Sequence, residues 1–208
     1  MTITLLVNVK GGAGSGNWGH AGRPGMVGGS GGTGGVRLTQ LEVQAIHDYS
    51  WLTSQTINDE LREDKVSTNK PFGGMSRAEQ VDLLDSAISK APALRDNTVL
   101  YSMMDAIYLK RDGLLEPGSV VSVPGYISAT DVRGGVRSYP GQEFTMRAVL
   151  KLTLPKGAKG VLPIATVSHY PQEHEHMIAR GSKYIIRDVT MPDNPYIDPV
   201  EINAEIVD

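Results

Sequence analysis

The sequence predicts an α+β fold, because helical and strand-like patterns occupy separate parts of the chain. Between residues 39 and 92, apolar residues recur every three or four positions, which is typical of amphipathic helices. From Thr98 onward, short apolar runs are separated by glycine and proline turns, which is typical of strands. A doubly wound sheet would instead alternate strands with helices along the whole chain.

The composition is that of one ordinary globular domain with a tail. The chain has 208 residues, of which 40% are hydrophobic and 21% are charged. The net charge is −3 and there is no basic block, so we expect no nucleic-acid partner. The absence of cysteine excludes disulfides, thiolate metal ligands and a cysteine nucleophile. The apolar N-terminal stretch is too short to span a membrane and lacks the basic start of a signal peptide, so we expect no membrane partner.

Residues 11–35 form a glycine-rich segment that holds 13 of the 24 glycines. So much glycine makes folding entropically costly, and we predict an arm at residues 1–35 in front of a domain at residues 36–208. The part that reads GNWGHAGRPGMVGGS resembles a glycine-rich segment of tailed-phage head and prophage proteins. That resemblance implies a location in the virion, in the host cytoplasm, or in both. Two alternatives are open for this segment: it docks onto phage head or portal proteins through Trp18, or it is a plain linker.

Two capping boxes predict where the helices begin. Thr39-Gln-Leu-Glu42 begins a helix that we expect to end near Arg62. Ser76-Arg-Ala-Glu79 begins a second helix, which Pro92 ends. In each box the side chains of the first and fourth residues satisfy backbone amides that the first helical turn leaves unpaired.

The rest of the chain predicts strands and one short helix. The expected strands lie near Thr98–Met103, Val120–Val123, Gly125–Ser128, Glu143–Leu154, Gly160–Pro163, Lys183–Val189 and Val200–Val207, and the expected short helix is Asp105–Arg111.

Two glutamates stand one residue apart in the loop segment Glu173-His174-Glu175. On an extended segment, such side chains point to opposite faces of the backbone, so one would face a cleft and the other its rim. This pattern suits one acid on a ligand and a second acid near an incoming nucleophile. A solvated charged turn is the alternative interpretation.

Two motifs together resemble mono-ADP-ribosyltransferases of the arginine-directed R-S-E type, over roughly Val36 to Val189. They are Tyr126-Ile-Ser-Ala-Thr130, an aromatic followed by Ser-x-Thr, and Tyr170-Pro-Gln-Glu-His-Glu175. The resemblance implies N-terminal helices followed by two small packed β-sheets that form an NAD cleft. It also implies NAD as substrate and transfer of ADP-ribose to a protein acceptor, with arginine as the modified side chain.

The same resemblance implies roles for individual residues. Glu175 is the expected catalytic glutamate, because a positively charged sugar forms as nicotinamide leaves and a fixed carboxylate stabilises it. Glu173 is the second expected catalytic residue, which orients the acceptor guanidinium and takes its proton. Ser128 and Thr130 are expected to support the NAD site, and Tyr170 to recognise the acceptor.

The chain departs from the family pattern on its first strand. Family members carry an aromatic residue followed by arginine, and this chain carries Tyr101-Ser102 at the predicted NAD-binding position. Serine cannot replace a charged, bidentate phosphate clamp, and losing that clamp costs roughly 2–4 kcal/mol. Use of another cation, a silencing substitution, and a structural virion protein that keeps the fold all remain open. The cations considered as replacements are Arg95, Lys110, Arg111 and Arg133.

His169, His174 and His176 lie close to these two acids. Their spacing fits no common zinc site, so we predict no metal. Histidines that flank acids on a loop are more often surface hydrogen-bonding groups.

Overall fold

The structure is a computed structural model that describes residues 26–27, 36–70, 74–133, 144–194 and 197–207. Its helical segments are α1 (Gln40–Asp48), a π-helical segment (Tyr49–Thr53), α2 (Ser54–Arg62), α3 (Arg77–Ser89) and α4 (Ile107–Arg111). Its strands are β1 (Met26–Val27), β2 (Val36–Arg37), β3 (Thr98–Asp105), β4 (Val120–Ser122), β5 (Ile127–Ala129), β6 (Arg147–Leu154), β7 (Val161–Pro163), β8 (His176–Ile178), β9 (Lys183–Thr190) and β10 (Val200–Val207). Apart from β1, the predicted glycine-rich arm lies outside the described residues.

The capping boxes are present, and they begin α1 and α3 as predicted. At the start of α1, the Thr39 hydroxyl accepts from the Glu42 amide at 3.2 Å, and the Thr39 amide donates to the Glu42 carboxylate at 2.7 Å. The predicted first helix does reach Arg62, but its middle turn is the π-helical segment rather than an α-helix. Such π-helical turns are rare and occur frequently at functional sites.

Strands β3 to β10 form two sheets after the helices, which confirms the predicted α+β architecture, and β1 and β2 pair separately as a two-stranded antiparallel sheet. The large sheet has the order β3-β6-β10-β9-β4, in which only β6 and β10 run parallel. The small sheet has the order β5-β8-β7 and is antiparallel. An isolated bridge joins the two sheets, because Tyr101 and Thr130 exchange backbone hydrogen bonds of 2.6 and 2.9 Å.

The buried side chains form two clusters. One covers the large sheet and includes Leu100 and Ile202. The other packs the helices against the small sheet and includes Ile57, Leu84 and Met177. Both clusters include residues of the small sheet, which therefore lies between the helical layer and the large sheet. Most of its residues are buried, and Pro163 at the end of β7 is exposed.

Most predicted strands occur within one to three residues of their expected bounds. The strand predicted from Glu143 begins at Arg147 among the described residues, and the strand predicted from Gly125 begins only at Ile127. Strand β8 was not predicted, because three residues next to a charged loop give too short an apolar run. No helix within the described ranges is both long and apolar enough to cross a membrane.

A buried carboxylate fixes α1 against α3. Glu42 is 2% exposed and accepts from Lys90 Nζ at 2.5 and 2.6 Å and from Ser86 Oγ at 2.7 Å. Burial alone would raise the pKa of Glu42, but the hydrogen bonds from Lys90, Thr39 and Ser86 outweigh it and lower the pKa to about 2. The ionised carboxylate therefore holds the two helices together.

We predict that this contact makes unfolding sensitive to acid. The pKa of Glu42 is lower in the folded protein than its ordinary value of 4.5, so its contribution is complete above about pH 4.5 and disappears as the pH falls toward 2. Lys90→Met should lower the free energy of unfolding at pH 7 by about 1–3 kcal/mol. It should also flatten this acid-dependent loss, measured by urea unfolding between pH 2 and 7.

The matched control is Lys70→Met, because Lys70 pairs with Glu79 at 2.6 Å but both side chains are exposed. We expect little change in the free energy of unfolding of that variant. Equal effects of the two substitutions would contradict the importance of the buried contact.

Candidate functional site

The candidate site lies on the small sheet, beside the bridge to the large sheet. Glu175 directly precedes β8, and its backbone carbonyl accepts from the Ile164 amide at 2.8 Å. Ser128 on β5 pairs with Met177 on β8. Side chains two residues apart on a strand share a face, which brings Ser128 and Glu175 together. A hydrogen bond joins the Ser128 side chain to the Glu175 carboxylate.

The carboxyl group of Glu175 is buried, with 2% of the residue exposed. Burial raises the pKa of Glu175 to about 8; the Ser128 hydrogen bond opposes this rise and the charge of Glu173 adds to it. Its Oε2 atom has no hydrogen-bond partner within the described parts of the chain. A buried carboxylate with one vacant acceptor is suited to bind a polar or positively charged group of a ligand.

The two glutamates are not presented on an extended segment, so the predicted reason for their opposite directions was wrong. Pro171–Glu173 is a single 3-10 turn, and His174 adopts a left-handed conformation with φ 48° and ψ 41°. The His174 amide donates to the Pro171 carbonyl at 3.2 Å, which closes this turn. The turn leaves Glu173 half-buried while the chain enters the small sheet at Glu175.

Tyr170 lies on the same loop and is half-buried. Its ring packs edge-on against His169, with the ring centroids 4.7 Å apart. His169 in turn stacks on Trp51 at 4.8 Å, and its Nδ1 lies 3.2 Å from Nε2 of His47. Its amide also donates to Ser50 Oγ at 2.8 Å. The loop that carries Tyr170 is thus fixed to the π-helical segment and the end of α1.

The residues predicted to bind NAD meet where the two sheets join. Tyr101 and Thr130 form the bridge described above, and Thr130 is buried. Ser102 follows on β3, is 1% exposed, and has an Oγ atom without a hydrogen-bond partner within the described ranges. The structure therefore brings Ser102 and Thr130 to one junction, next to the strand that carries Ser128.

A small cavity extends from Ser102 to the helical layer, and Arg62 lines it. Its volume is about 30 Å³, room for about one water molecule, so a larger ligand requires its walls to move. The Arg62 guanidinium pairs with Asp59 at 2.6 Å and is about one-third exposed. Asn58, one helical turn before Arg62, also lines the cavity.

Arg62 was predicted only as the end of a helix, and its place on the lining of this cavity was not predicted. The i,i+4 spacing of Asn58 and Arg62 was the signal that could have placed both on one face. The cations considered instead do not line this cavity: Arg111 pairs with Asp112, and Arg133 pairs with Glu201. In the described part of the chain, no three potential metal-ligating side chains come together.

The sequence matches the family described as ADP-ribosyltransferase exoenzyme over residues 33–207, so the chain belongs to this family. This membership makes the protein an ADP-ribosyltransferase, for which NAD is the substrate and a protein is the acceptor. The predicted membership of the ADP-ribosyltransferase family is thereby confirmed.

Solved structures show the same fold. Plx2a, an ADP-ribosyltransferase toxin from Paenibacillus larvae, is 24% identical, with a TM-score of 0.63 over 82% of this chain and 88% of that chain. C3stau2 from S. aureus, solved with NAD, is 26% identical, with a TM-score of 0.62 over 83% and 89%. Vis from Vibrio splendidus, solved with agmatine, is 22% identical, with a TM-score of 0.58 over 82% and 76%. Among curated proteins, none matches the sequence significantly.

We predict that Glu175→Gln stabilises the folded protein at alkaline pH. The pKa of Glu175 is about 8 when folded and has an ordinary value of 4.5, so wild-type stability falls as the pH rises from about 4.5 through 8. The variant lacks this loss and should be more stable by roughly 3–5 kcal/mol at pH 9, with a small difference at pH 4. Urea unfolding at both pH values measures it.

Glu116→Gln is the control, because this glutamate is exposed. It should follow the wild-type dependence on pH. If the stability of Glu175→Gln also follows the wild-type dependence on pH, Glu175 is not a buried group with a raised pKa.

Proposed function

We propose that the protein transfers ADP-ribose from NAD to an arginine side chain and releases nicotinamide. The observation that carries this proposal is the buried Glu175 carboxyl, hydrogen-bonded to Ser128 and close enough to Glu173 for the charge of Glu173 to affect it. One acid stabilises a positively charged sugar and the second handles the acceptor proton. The two acids differ in burial, which suits them to these different tasks.

Glu175 acts on the bond that breaks. The bond between ribose C1′ and the nicotinamide nitrogen cleaves, nicotinamide leaves with the electron pair, and positive charge develops on the sugar. A positive ligand beside Glu175 favours the ionised carboxylate, which opposes the rise in pKa that burial causes. The vacant Oε2 atom is then available to a ribose hydroxyl. Ser128 holds the other side of the carboxylate in place, and Thr130 supports the strand at the sheet junction.

Glu173 acts on the bond that forms. A guanidinium nitrogen attacks C1′, and the proton that it loses passes to Glu173. The solved Vis structure holds agmatine, a guanidinium compound, which supports this class of acceptor. Tyr170, on the same loop, is the proposed contact for the acceptor protein. The packing of His169 on Trp51 keeps that loop in one position.

Arg62 is the proposed phosphate clamp in place of the missing arginine at position 102. It lines the same cavity as Ser102 and carries a guanidinium that can bind two phosphate oxygens. Its present partner, Asp59, is an exposed carboxylate, so exchange for a phosphate costs little. Ser102 adds a buried hydroxyl at the floor of the cavity, and Tyr101 holds its strand to Thr130.

We predict that the two glutamates separate into different reactions. With NAD and agmatine, Glu175→Gln should lose both transfer and NAD hydrolysis by on the order of 10²–10³-fold, because both need the stabilised sugar cation. Glu173→Gln should lose transfer by about 10²-fold or more and keep hydrolysis within a few-fold. Mass spectrometry of ADP-ribosyl-agmatine and free ADP-ribose measures the two reactions.

Glu116→Gln controls for the loss of an exposed negative charge and should keep both reactions. Equal loss of hydrolysis and transfer in Glu173→Gln would contradict its role on the acceptor side.

We also predict that Arg62→Ala lowers kcat/KM for NAD by a factor of tens to hundreds, as expected for loss of a charged phosphate contact. Arg111→Ala is the matched control, because Arg111 is an exposed arginine paired with Asp112, and its kcat/KM for NAD should not change.

Ser102→Arg should gain no activity, since it buries a second guanidinium beside Arg62 in a cavity of about 30 Å³. Activity that appears only in Ser102→Arg would mean that the site is silenced at this position.

A second candidate function is that of a catalytically silent virion protein that keeps the fold. The observation that favours it is Ser102 at the position where the family pattern has an arginine. In this case residues 1–35 are an arm that docks onto phage head or portal proteins, in front of a domain at residues 36–208. A folded chain that neither consumes NAD nor gains activity as Ser102→Arg, but sediments with phage heads until residues 1–35 are removed, would establish it.

A further inference from the structure

Tyr49, a tyrosine that the mechanism above does not use, contacts Ser128. Tyr49 is fully buried, and its hydroxyl oxygen accepts from Asn58 Nδ2 at 3.1 Å. A side-chain hydrogen bond also joins Tyr49 to Ser128, which itself is bonded to Glu175. Four polar side chains thus form one buried chain that ends at the proposed catalytic carboxylate.

The orientation of Asn58 decides which way the protons point. Its Oδ1 accepts from the backbone amide of Tyr126 at 2.9 Å, so its Nδ2 must face Tyr49 and donate. This close approach depends on Gly125, where a Cβ atom would lie 2.4 Å from Asn58 Oδ1. The amide of Asn58 therefore cannot turn to accept a proton from Tyr49.

The number of available protons then sets the direction of the remaining hydrogen bonds in this buried series. Tyr49 receives a proton from Asn58, so its own hydroxyl proton has only Ser128 Oγ as acceptor among these groups. Ser128 has a single proton. When Glu175 is ionised and can only accept, that proton goes to Glu175 while the Ser128 oxygen accepts from Tyr49. Chains of this kind polarise each member, so that the last hydrogen bond is strengthened.

We propose that Tyr49 is a positioning residue for the transferase reaction, whose hydroxyl directs the Ser128 proton onto Glu175. This inference rests on the proposed function only in the role that it gives to Glu175. Tyr49 is the first residue of the π-helical segment, and its ring packs edge-on against Tyr126 at 5.7 Å. The π-helical turn thus presents a fully buried phenol to Ser128, the hydrogen-bond partner of Glu175.

Few charged or titratable groups act on Glu175 from the surrounding elements. Glu173 does so from the preceding loop and Tyr49 from the π-helical segment, and Arg62 on α2 acts on Tyr49. Burial raises the pKa of Tyr49 well above its ordinary value, and the nearby Glu175 adds to this rise. Tyr49 therefore keeps its proton over the working pH range and acts as a donor throughout.

The test is a ¹³C NMR titration of the Glu175 carboxyl group in the NAD-free protein, with the signal assigned by its loss in Glu175→Gln. Tyr49→Phe keeps the ring and removes only the hydroxyl. We expect its Glu175 titration to move upward by roughly half to one pH unit, because the ionised form loses part of its hydrogen bonding. No upward movement would overturn the proposal.

Tyr126→Phe is the matched control. Tyr126 is the buried edge-on partner of Tyr49, but its hydroxyl donates to Asp85 at 2.7 Å, away from Ser128. We expect its Glu175 titration to stay at the wild-type pH. An equal movement in both variants would overturn the proposal, because it would show general loosening rather than a directed hydrogen bond.

A double-mutant cycle tests whether Tyr49 acts through Ser128. Tyr49→Phe should move the titration no further once Ser128→Ala is present, and additive effects would overturn the inference. If Tyr49→Phe does not fold, the wild-type protein supplies the readout. The Tyr49 hydroxyl proton should exchange slowly and show a nuclear Overhauser effect to the Ser128 β-protons, and its absence would overturn the proposal.

Kinetics then connect the hydrogen bond to catalysis. In Tyr49→Phe, kcat for NAD at pH 7 should fall about 3–10-fold with KM nearly unchanged, and the acid limb of the pH profile should move upward with the NMR titration. A moved titration in a protein that has no activity at all would support the role of Tyr49 and refute the proposed function. An unmoved titration in an active enzyme would refute the role of Tyr49 and support the proposed function.

Discussion

The removal of one carboxyl group from water is the constraint on which the site depends. Glu175 is buried to 2% exposure, and its pKa rises to about 8 because the surroundings disfavour its charge. A carboxyl in this state costs folding stability at neutral and alkaline pH. In the proposed mechanism the same carboxyl stabilises the positive charge that develops on the ribose. The Ser128 hydrogen bond limits that cost and gives the carboxyl a single orientation.

The surrounding architecture keeps that orientation. The small sheet sets Ser128 and Glu175 on one face, and the Tyr101–Thr130 bridge holds this sheet against β3 of the large sheet. On the other side, Asn58 joins the helical layer to the backbone of Tyr126, the residue before β5. Each tie is a pair of hydrogen bonds from buried groups, which tolerate displacement poorly because an unpaired buried group is costly. The helices are therefore part of the site rather than a cover over it.

The parts of the fold that local chemistry specifies were predictable from the sequence. The capping boxes at Thr39 and Ser76 form because their partners are three residues away, and the motif glutamate Glu175 needed only its neighbours to be singled out. The left-handed His174 belongs to a local turn that an apolar or charged pattern does not reveal. The i,i+4 spacing places Arg62 on one helical face with Asn58, but only contacts between distant segments bring that face to the cavity of Ser102. The π-helical turn also depends on such contacts, since it places Tyr49 against Tyr126, the residue before β5.

In the proposed mechanism, this chain binds NAD through Arg62 and Glu175, although it lacks the strand arginine at position 102. A crystal structure of the wild-type protein with NAD bound is the most direct test. We predict that Arg62 leaves Asp59 and lies within hydrogen-bond distance of a phosphate oxygen, while Glu175 Oε2 contacts the nicotinamide ribose. Phosphates held by other groups, with Arg62 still on Asp59 and the ribose away from Glu175, would contradict it.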